Sequence, residues 1–158
     1  MKKEAVLGAL NRIMELELAG VIHYIHYELM VCGYNRIPIV SWLQKQADEG
    51  LVHARLAGEL ITWLGEDPSL KIGPLLQNHS HDIGDILRES RAHEALALKA
   101  YCELLELVRD EDVRLEEYAR DLIVAETAHQ DEVDKMLRMP GRGEPQCLSD
   151  ASGSCCKA

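Results

Sequence analysis

The stretch LIVAETAHQDEV, residues 122–133, decides how this chain folds. Leu122, Glu126, His129 and Val133 recur at intervals of four, three and four, which places them on one face of a helix. Leucine and valine make that face apolar and core-seeking. A carboxylate and an imidazole interrupt it, and neither belongs in a core without a partner. The fourth helix read from this stretch runs over about residues 113–138, with Leu115, Tyr118 and Met136 extending the face and Pro140 and Gly141 ending it.

The same pattern appears three more times upstream. Behind the acidic turn Asp110-Glu111-Asp112, a third helix over about 81–109 carries Ile83, Leu87, Ser90, Glu94, Ala97, Tyr101, Leu104 and Val108. A second, over about 38–64, carries Ile39, Trp42, Gln46, Glu49, His53, Leu56, Leu60 and Trp63. Pro38 sits in its first turn and Gly65 is its C-terminal stop. A first, over about 3–32, carries Val6, Leu10, Ile13, Glu17, Gly20 and Tyr24, and Gly33, Asn35 and Pro38 turn the chain between these two. Residues 65–80, with Gly65, Pro68, Gly73 and Pro74, form a connection long enough to cross the length of a bundle. The expected fold is therefore all-α: an up-down four-helix bundle over 1–140 with one long crossover between the second and third helices. Residues 141–158, rich in Gly, Ser and Pro, read as a flexible tail.

The two halves echo each other. Glu17 and Tyr24 are spaced like Glu94 and Tyr101, and Glu17 to Glu49 spans the same 32 residues as Glu94 to Glu126. Each helix thus sets a carboxylate in its apolar stripe. Carboxylates converging in a core repel one another, and divalent cations between them turn that repulsion into coordination. Glu126-Thr127-Ala128-His129 is a Glu-x-x-His motif whose two side chains share a face. Di-iron bundles take one Glu from each of two helices and a Glu-x-x-His from each of the other two. Glu17 and Glu94 fill the single-carboxylate places. The second motif is irregular: Gly50 stands three residues before His53, and the carboxylate is Glu49, four before. A one-residue helical bulge at Gly50 would re-aim Glu49. Tyr24 and Tyr101, each two turns from a candidate ligand, are placed to hydrogen-bond a ligand carboxylate or supply an electron.

Bulk composition excludes other classes. With 158 residues, 47% hydrophobic and 28% charged, the chain makes one ordinary globular domain. Its formal charge of −10 argues against a nucleic-acid partner. No apolar run long enough for a membrane span occurs, and Met1-Lys2-Lys3-Glu4 leads into helix without a secretory pattern. Five cysteines without framework spacing fit a reducing cytoplasm.

Over about residues 5–138 the chain resembles the bacterioferritins of the ferritin-like family. The likeness rests on Glu17-Leu18-Ala19 with Tyr24, His53-Ala54, Ile86-Leu87-Arg88 leading to Glu94, and Glu126-x-x-His129. The resemblance implies a cage of identical subunits that oxidises Fe(II) with O2 or H2O2 at a di-iron ferroxidase centre and stores the ferric product. Carried over, Glu17 and His53 bind one iron, Glu94 and His129 the other, and Glu49 and Glu126 bridge. Three departures stand out. The family's carboxylate on the second helix falls at Gly50. Its haem-ligating Met would follow, where Gly50 or Leu51 stands, so haem is not expected. The tail 141–158 replaces a short fifth helix.

Three alternatives remain at this stage. A DNA-protecting miniferritin would want a basic extension, but 141–158 holds only Arg142 and Lys157. A rubrerythrin-like di-iron peroxidase would carry a paired Cys-x-x-Cys module, and none is present. A catalytically degenerate cage subunit would explain the irregular Glu49/His53 pair. Of the remaining polar residues, His23, His26, His79, His81 and His93 are expected on the surface or in loops. Cys32 and Cys102 are expected in the core, and Cys147, Cys155 and Cys156 as exposed thiols in the tail.

Overall fold

A computed structural model describes residues 2–75 and 82–138 of the chain. These form four helices, α1 Lys3–Met30, α2 Arg36–Trp63, α3 Ile83–Val108 and α4 Val113–Leu137, with no strand among the described residues. The boundaries fall within two residues or so of those expected from periodicity. Asp82 caps α3 by accepting from the Gly84 amide, and Asp112 caps α4 by accepting from Leu115. Gly65, at φ +83°, takes the left-handed conformation that ends α2.

Helix directions follow from which residues meet. Tyr27 bonds Glu89, Tyr24 bonds Glu94 and Tyr101 bonds Glu17, so α1 and α3 run antiparallel. Contacts of Trp42 with Glu132, Glu49 with His129 and His53 with Glu126 make α2 and α4 antiparallel as well. This is the up-down bundle with a crossover expected from the sequence.

The described part of the crossover lies along α1 as a strap. The Ser69 amide donates to Asn11 Oδ1 at 2.8 Å, Ser69 Oγ donates to Glu15 Oε1 at 2.5 Å, and the Gly73 amide donates to the Glu15 carbonyl at 2.8 Å. A β-carbon on Gly73 would stand 2.9 Å from that carbonyl oxygen, closer than packed atoms tolerate. Gly73→Ala is therefore expected to destabilise the protein by about 1–3 kcal/mol in urea unfolding. An unchanged midpoint would mean that the strap is not held against α1 as described.

Apolar side chains gather in two clusters. One contains Val6, Leu10, Ile13, Ile61, Tyr101, Leu104, Val108, Leu115 and Ala119. The other, toward the far end of the bundle, contains Tyr24, Tyr27, Val31, Leu43, Ala47 and Ile86. Between them lies a layer of buried polar residues: Glu17, Gln46, His93, Glu94 and Glu126, with Ser90 nearby.

Several expectations are corrected. Cys32 is exposed, because it falls in the turn just beyond α1; Cys102 is buried as expected. Leu56 and Trp63 lie on an outer flank of α2, and the Arg114 guanidinium sits over the Trp63 ring at 4.6 Å. His23 and His93 are buried, not on the surface; they lie where α1 and α3 face each other, ring centroids 4.9 Å apart. Helix α2 passes through Gly50 as regular α-helix, so no bulge re-aims Glu49. His79, His81, Cys147, Cys155, Cys156 and the tail 141–158 lie outside the described residues.

Candidate metal centre

The helical period that put carboxylates into apolar stripes carries them into the polar layer. Glu17 is 7% exposed, Glu94 5% and Glu126 4%. Ionised carboxylates do not remain at that depth without compensation. The compensation is reciprocal between the halves. Tyr101 from α3 donates to Glu17 Oε1 at 2.7 Å, and Tyr24 from α1 donates to Glu94 Oε1. Each tyrosine occupies one oxygen of the candidate ligand from the opposite half, and Glu94 Oε2 is buried with no hydrogen-bond partner among the described residues.

The imidazoles cross over in the same way. His53 Nδ1 on α2 lies 3.1 Å from Glu126 Oε1 on α4 and 3.7 Å from Glu17 Oε2. His129 Nε2 on α4 lies 2.9 Å from Glu49 Oε2 on α2. Donor atoms of Glu17, His53 and Glu126 all fall within 4.8 Å of one another. Atoms that bind one ion at about 2.0–2.2 Å are at most about twice that apart, so a small inward movement would let all three share an ion.

The second trio, Glu94, His129 and Glu49, is looser. The Glu49 side chain remains 33% exposed, and its Oε1 lies 3.5 Å from Lys45 Nζ at the rim. Gly50 explains the difference. A β-carbon there would stand 3.5 Å from Glu17 Oε2, so position 50 faces the inside of the site and position 49 its edge. All six candidate ligands, with Tyr24, line a single cavity of about 20 Å3, which they share with Gln46, Gly50 and His93. Gln46 and His93 were not marked as site residues from the sequence. Gln46 did carry a signal, as an amide inside the apolar stripe of α2. His93 carried none, since its burial depends on Gly20 of α1, where a β-carbon would reach within 3.0 Å of its Nε2.

In the metal-free layer, burial and neighbouring charge shift the proton affinity of Glu94 and His53. Burial pushes Glu94 up to about 8, and the neighbouring Glu126, Glu17 and Glu132 add to it against the Tyr24 hydrogen bond. Burial pulls His53 down, but the carboxylates of Glu126 and Glu17 outweigh it and raise the imidazole to about 10. Burial, then the charge of Glu94, holds Tyr24 well above the usual tyrosine range; Tyr101 is raised in the same way by burial and Glu17. Near neutral pH the layer thus holds a protonated Glu94 and an imidazolium. A cation would have to displace both protons to reach those donors.

A family model, the ferritin-like domain, matches residues 7–140. The chain belongs to the ferritin-like family. No curated protein matches this sequence significantly. Among solved structures, this ferritin-like chain is similar to a ferritin-like di-iron-carboxylate protein from Bacillus anthracis, at 24% identity over 86% of this chain and 97% of the other, TM-score 0.81. It is also similar to a bacterioferritin-related, dodecameric thioferritin from Bacteroides fragilis: 19% identity, 87% and 86% covered, TM-score 0.79. A third is the bacterioferritin of Desulfovibrio desulfuricans, a di-iron protein: 19% identity, 85% and 79% covered, TM-score 0.77. At these identities the likeness establishes the fold. No described helix of this ferritin-like chain is long and apolar enough to cross a membrane.

The tyrosine bonds yield a prediction about metal affinity. Tyr101→Phe and Tyr24→Phe each free one oxygen of a candidate ligand to turn away. Each should weaken Co(II) binding by about 10–100-fold in chelator competition, with helix content unchanged. Affinity equal to the unsubstituted protein would show that the tyrosines hold nothing in place.

Proposed function

We propose that this protein is a ferroxidase that oxidises Fe(II) with O2 or H2O2 at a pair of iron positions inside its bundle and passes Fe(III) to storage in a homo-oligomeric cage, in the cytoplasm. The observation that carries the reading is the convergence of Glu17, His53 and Glu126 donors within 4.8 Å, in a buried layer with Glu94 and His129 beside them. Membership of the ferritin-like family supports it, and the di-iron content named for the Bacillus anthracis and Desulfovibrio desulfuricans proteins supports iron as the metal.

The residues fit iron chemically. Carboxylate and imidazole donors suit a redox-active first-row ion. Glu17, His53 and Glu126 would hold one ion. Glu94, His129 and Glu49 would hold the other, and Glu126 is buried deeply enough to be shared. Fe(II) is the substrate here and supplies the electrons that reduce the oxidant. The chain's own part is to bind, orient and exclude. Tyr24 and Tyr101 hold Glu94 and Glu17 with one oxygen turned to the interior. Loading takes the protons from Glu94 and His53. A cavity of about 20 Å3 has room for water-sized molecules beside the ligand side chains. Glu49, its side chain one-third exposed, and the net charge of −10 favour the approach of cations.

Anaerobic Fe(II) titration followed by oxygen tests this. Binding should saturate near about two Fe(II) per chain, and oxygen should then be consumed in step with Fe(III) formation. Absence of saturable binding would remove the reading. Gly50 favours a second one, a cage subunit that has lost activity, because position 50 faces Glu17 without a carboxylate. Saturable binding with oxidation no faster than in buffer would select it.

A further inference from the structure

At the 77-residue offset that relates Glu17 to Glu94 and Tyr24 to Tyr101, the counterparts of His93 and His23 are Leu16 and Ala100. Both of those are buried and apolar, so the repeat itself does not call for imidazoles at these places. Yet His23 is 7% exposed and His93 5%, and the two rings meet where α1 faces α3. Neither belongs to the six candidate ligands.

The His93 ring is fixed along one edge. Its Nε2 lies 2.9 Å from the Leu16 carbonyl oxygen, which can only accept, so Nε2 carries the hydrogen. The same edge packs on Gly20, where a β-carbon would stand 3.0 Å from Nε2 and 3.3 Å from Cδ2. Nδ1 is the ring atom opposite that edge. It is buried and has no hydrogen-bond partner among the described residues. A buried acceptor without a donor is unfavourable unless a ligand meets it. A metal-binding imidazole has this arrangement: one nitrogen donates to a backbone carbonyl, and the other is left for the ion.

Further donors stand around it. The His23 ring meets His93 edge to face, with centroids 4.9 Å apart and planes at 89°. Two imidazoles that share an ion at about 2.1 Å, with an angle of about 100° between them, put their ring centres about 5 Å apart. Burial, then His93 and His26, lowers His23 to about 4, so at neutral pH it offers a lone pair. His26, one turn beyond His23 on α1, is exposed. Glu89, one turn from His93 on α3, is held to α1 by Tyr27 at 2.6 Å and sets a negative charge beside the group. Unlike Glu17, His53 and Glu126, the three imidazoles do not all stand within 4.8 Å of one another, and His26 has to turn toward His23 to close the set.

We propose that His93, His23 and His26 form a separate metal site on the α1–α3 face, for a late first-row divalent ion such as Zn(II). His93 Nδ1 and His23 bind from the interior, His26 closes the site from the solvent side, and water completes a tetrahedron. Three nitrogen donors favour Zn(II) over Fe(II), whereas the carboxylate-rich layer between the four helices does not discriminate in that way. The site shares no ligand with the candidate metal centre and does not rest on that reading.

Crystals of the full chain soaked in Zn(II) test it by anomalous scattering at the zinc edge, with equilibrium dialysis of Zn(II) alongside. A zinc peak bonded to His93 Nδ1 and His23 is expected. His26→Ala, at an exposed position, should leave the bundle folded and weaken the binding of one Zn(II) by at least about tenfold in dialysis. His93→Gln should lower the Zn(II) bound by about one per chain. His129→Ala, in the candidate metal centre, should leave the peak in place. No zinc at His23 and His93 would overturn the proposal, whether or not other positions fill. Equal dialysis curves for the unsubstituted protein and both substitutions at His26 and His93 would overturn it as well. If His93→Gln does not fold, His26→Ala decides alone. A zinc peak here with no metal bound by Glu17, His53 and Glu126 would sink the metal-centre reading and leave this site standing.

Discussion

Glu126→Gln is expected to lower Fe(II) oxidation by at least about 100-fold while leaving the bundle folded. Glu126 is the deepest of the candidate ligands, and its Oε1 is the closest carboxylate oxygen to His53. Outer partners of metal ligands are worth about 10–100-fold when removed, so a ligand shared by two ions should exceed the upper end of that range. Glutamine has nearly the same volume, so the packing around Ala119, Leu122 and Ile123 is not opened. Calorimetry with Co(II) should find one of the two binding events lost or greatly weakened, with a cooperative melt retained. His53→Ala should act on the same ion and spare the His129 side. Oxidation at the unsubstituted rate in Glu126→Gln would mean that the buried layer is not where iron reacts.

The second large effect concerns pH. In the metal-free protein Glu94 is raised to about 8 and His53 to about 10, so between their ordinary values and these the native state holds more protons than the unfolded chain. Stability then falls as pH rises. For His53, the stabilising contribution is complete below about 6.5 and is lost as pH climbs through 10. For Glu94, the penalty of ionisation begins above 4.5 and is complete by about 8. His23, lowered to about 4 by burial and then by His93 and His26, and His93, also lowered by burial, act in the opposite sense, but only below about 6.5. From pH 6.5 to 8 the two raised groups therefore act unopposed. Urea unfolding in the presence of a chelator should show stability dropping there by something on the order of 1–2 kcal/mol per pH unit. Saturating Co(II) should flatten the slope, because bound ligands carry no proton to lose, and should raise the melting temperature at pH 8. A metal-free protein with pH-independent stability over this range would show that the layer does not hold its carboxylate and imidazole as described.

The helices and the identity of their buried carboxylates were readable because both depend on distances along one chain. A carboxylate that recurs with leucines at intervals of three and four must enter the core wherever the helix packs, and Glu17, Glu94 and Glu126 do. Spacing along one helix put Tyr24 and Tyr101 within reach of a buried carboxylate but named no partner for either. Each tyrosine bonds the carboxylate of the other half, not the one two turns away on its own helix. Glu49 shows the opposite limit. Its stripe position pointed inward, and the bulge that would have aimed it is absent; the regular helix leaves it at the rim facing His129 and Lys45.

Sequence by itself determined four amphipathic helices, their order, the long connection and a set of carboxylates and imidazoles on their inner faces. Those are consequences of a fixed rotation per residue about a single axis. Only the tertiary structure decided that Tyr101 holds Glu17 and Tyr24 holds Glu94, that His53 meets Glu126, that His23 and His93 are buried, and that Gln46 and Gly50 open on the site. The reason is geometric: rotation about one axis says which way a side chain leaves its own helix, whereas its partner and its solvent depend on how far, and at what height, a second helix lies across from it.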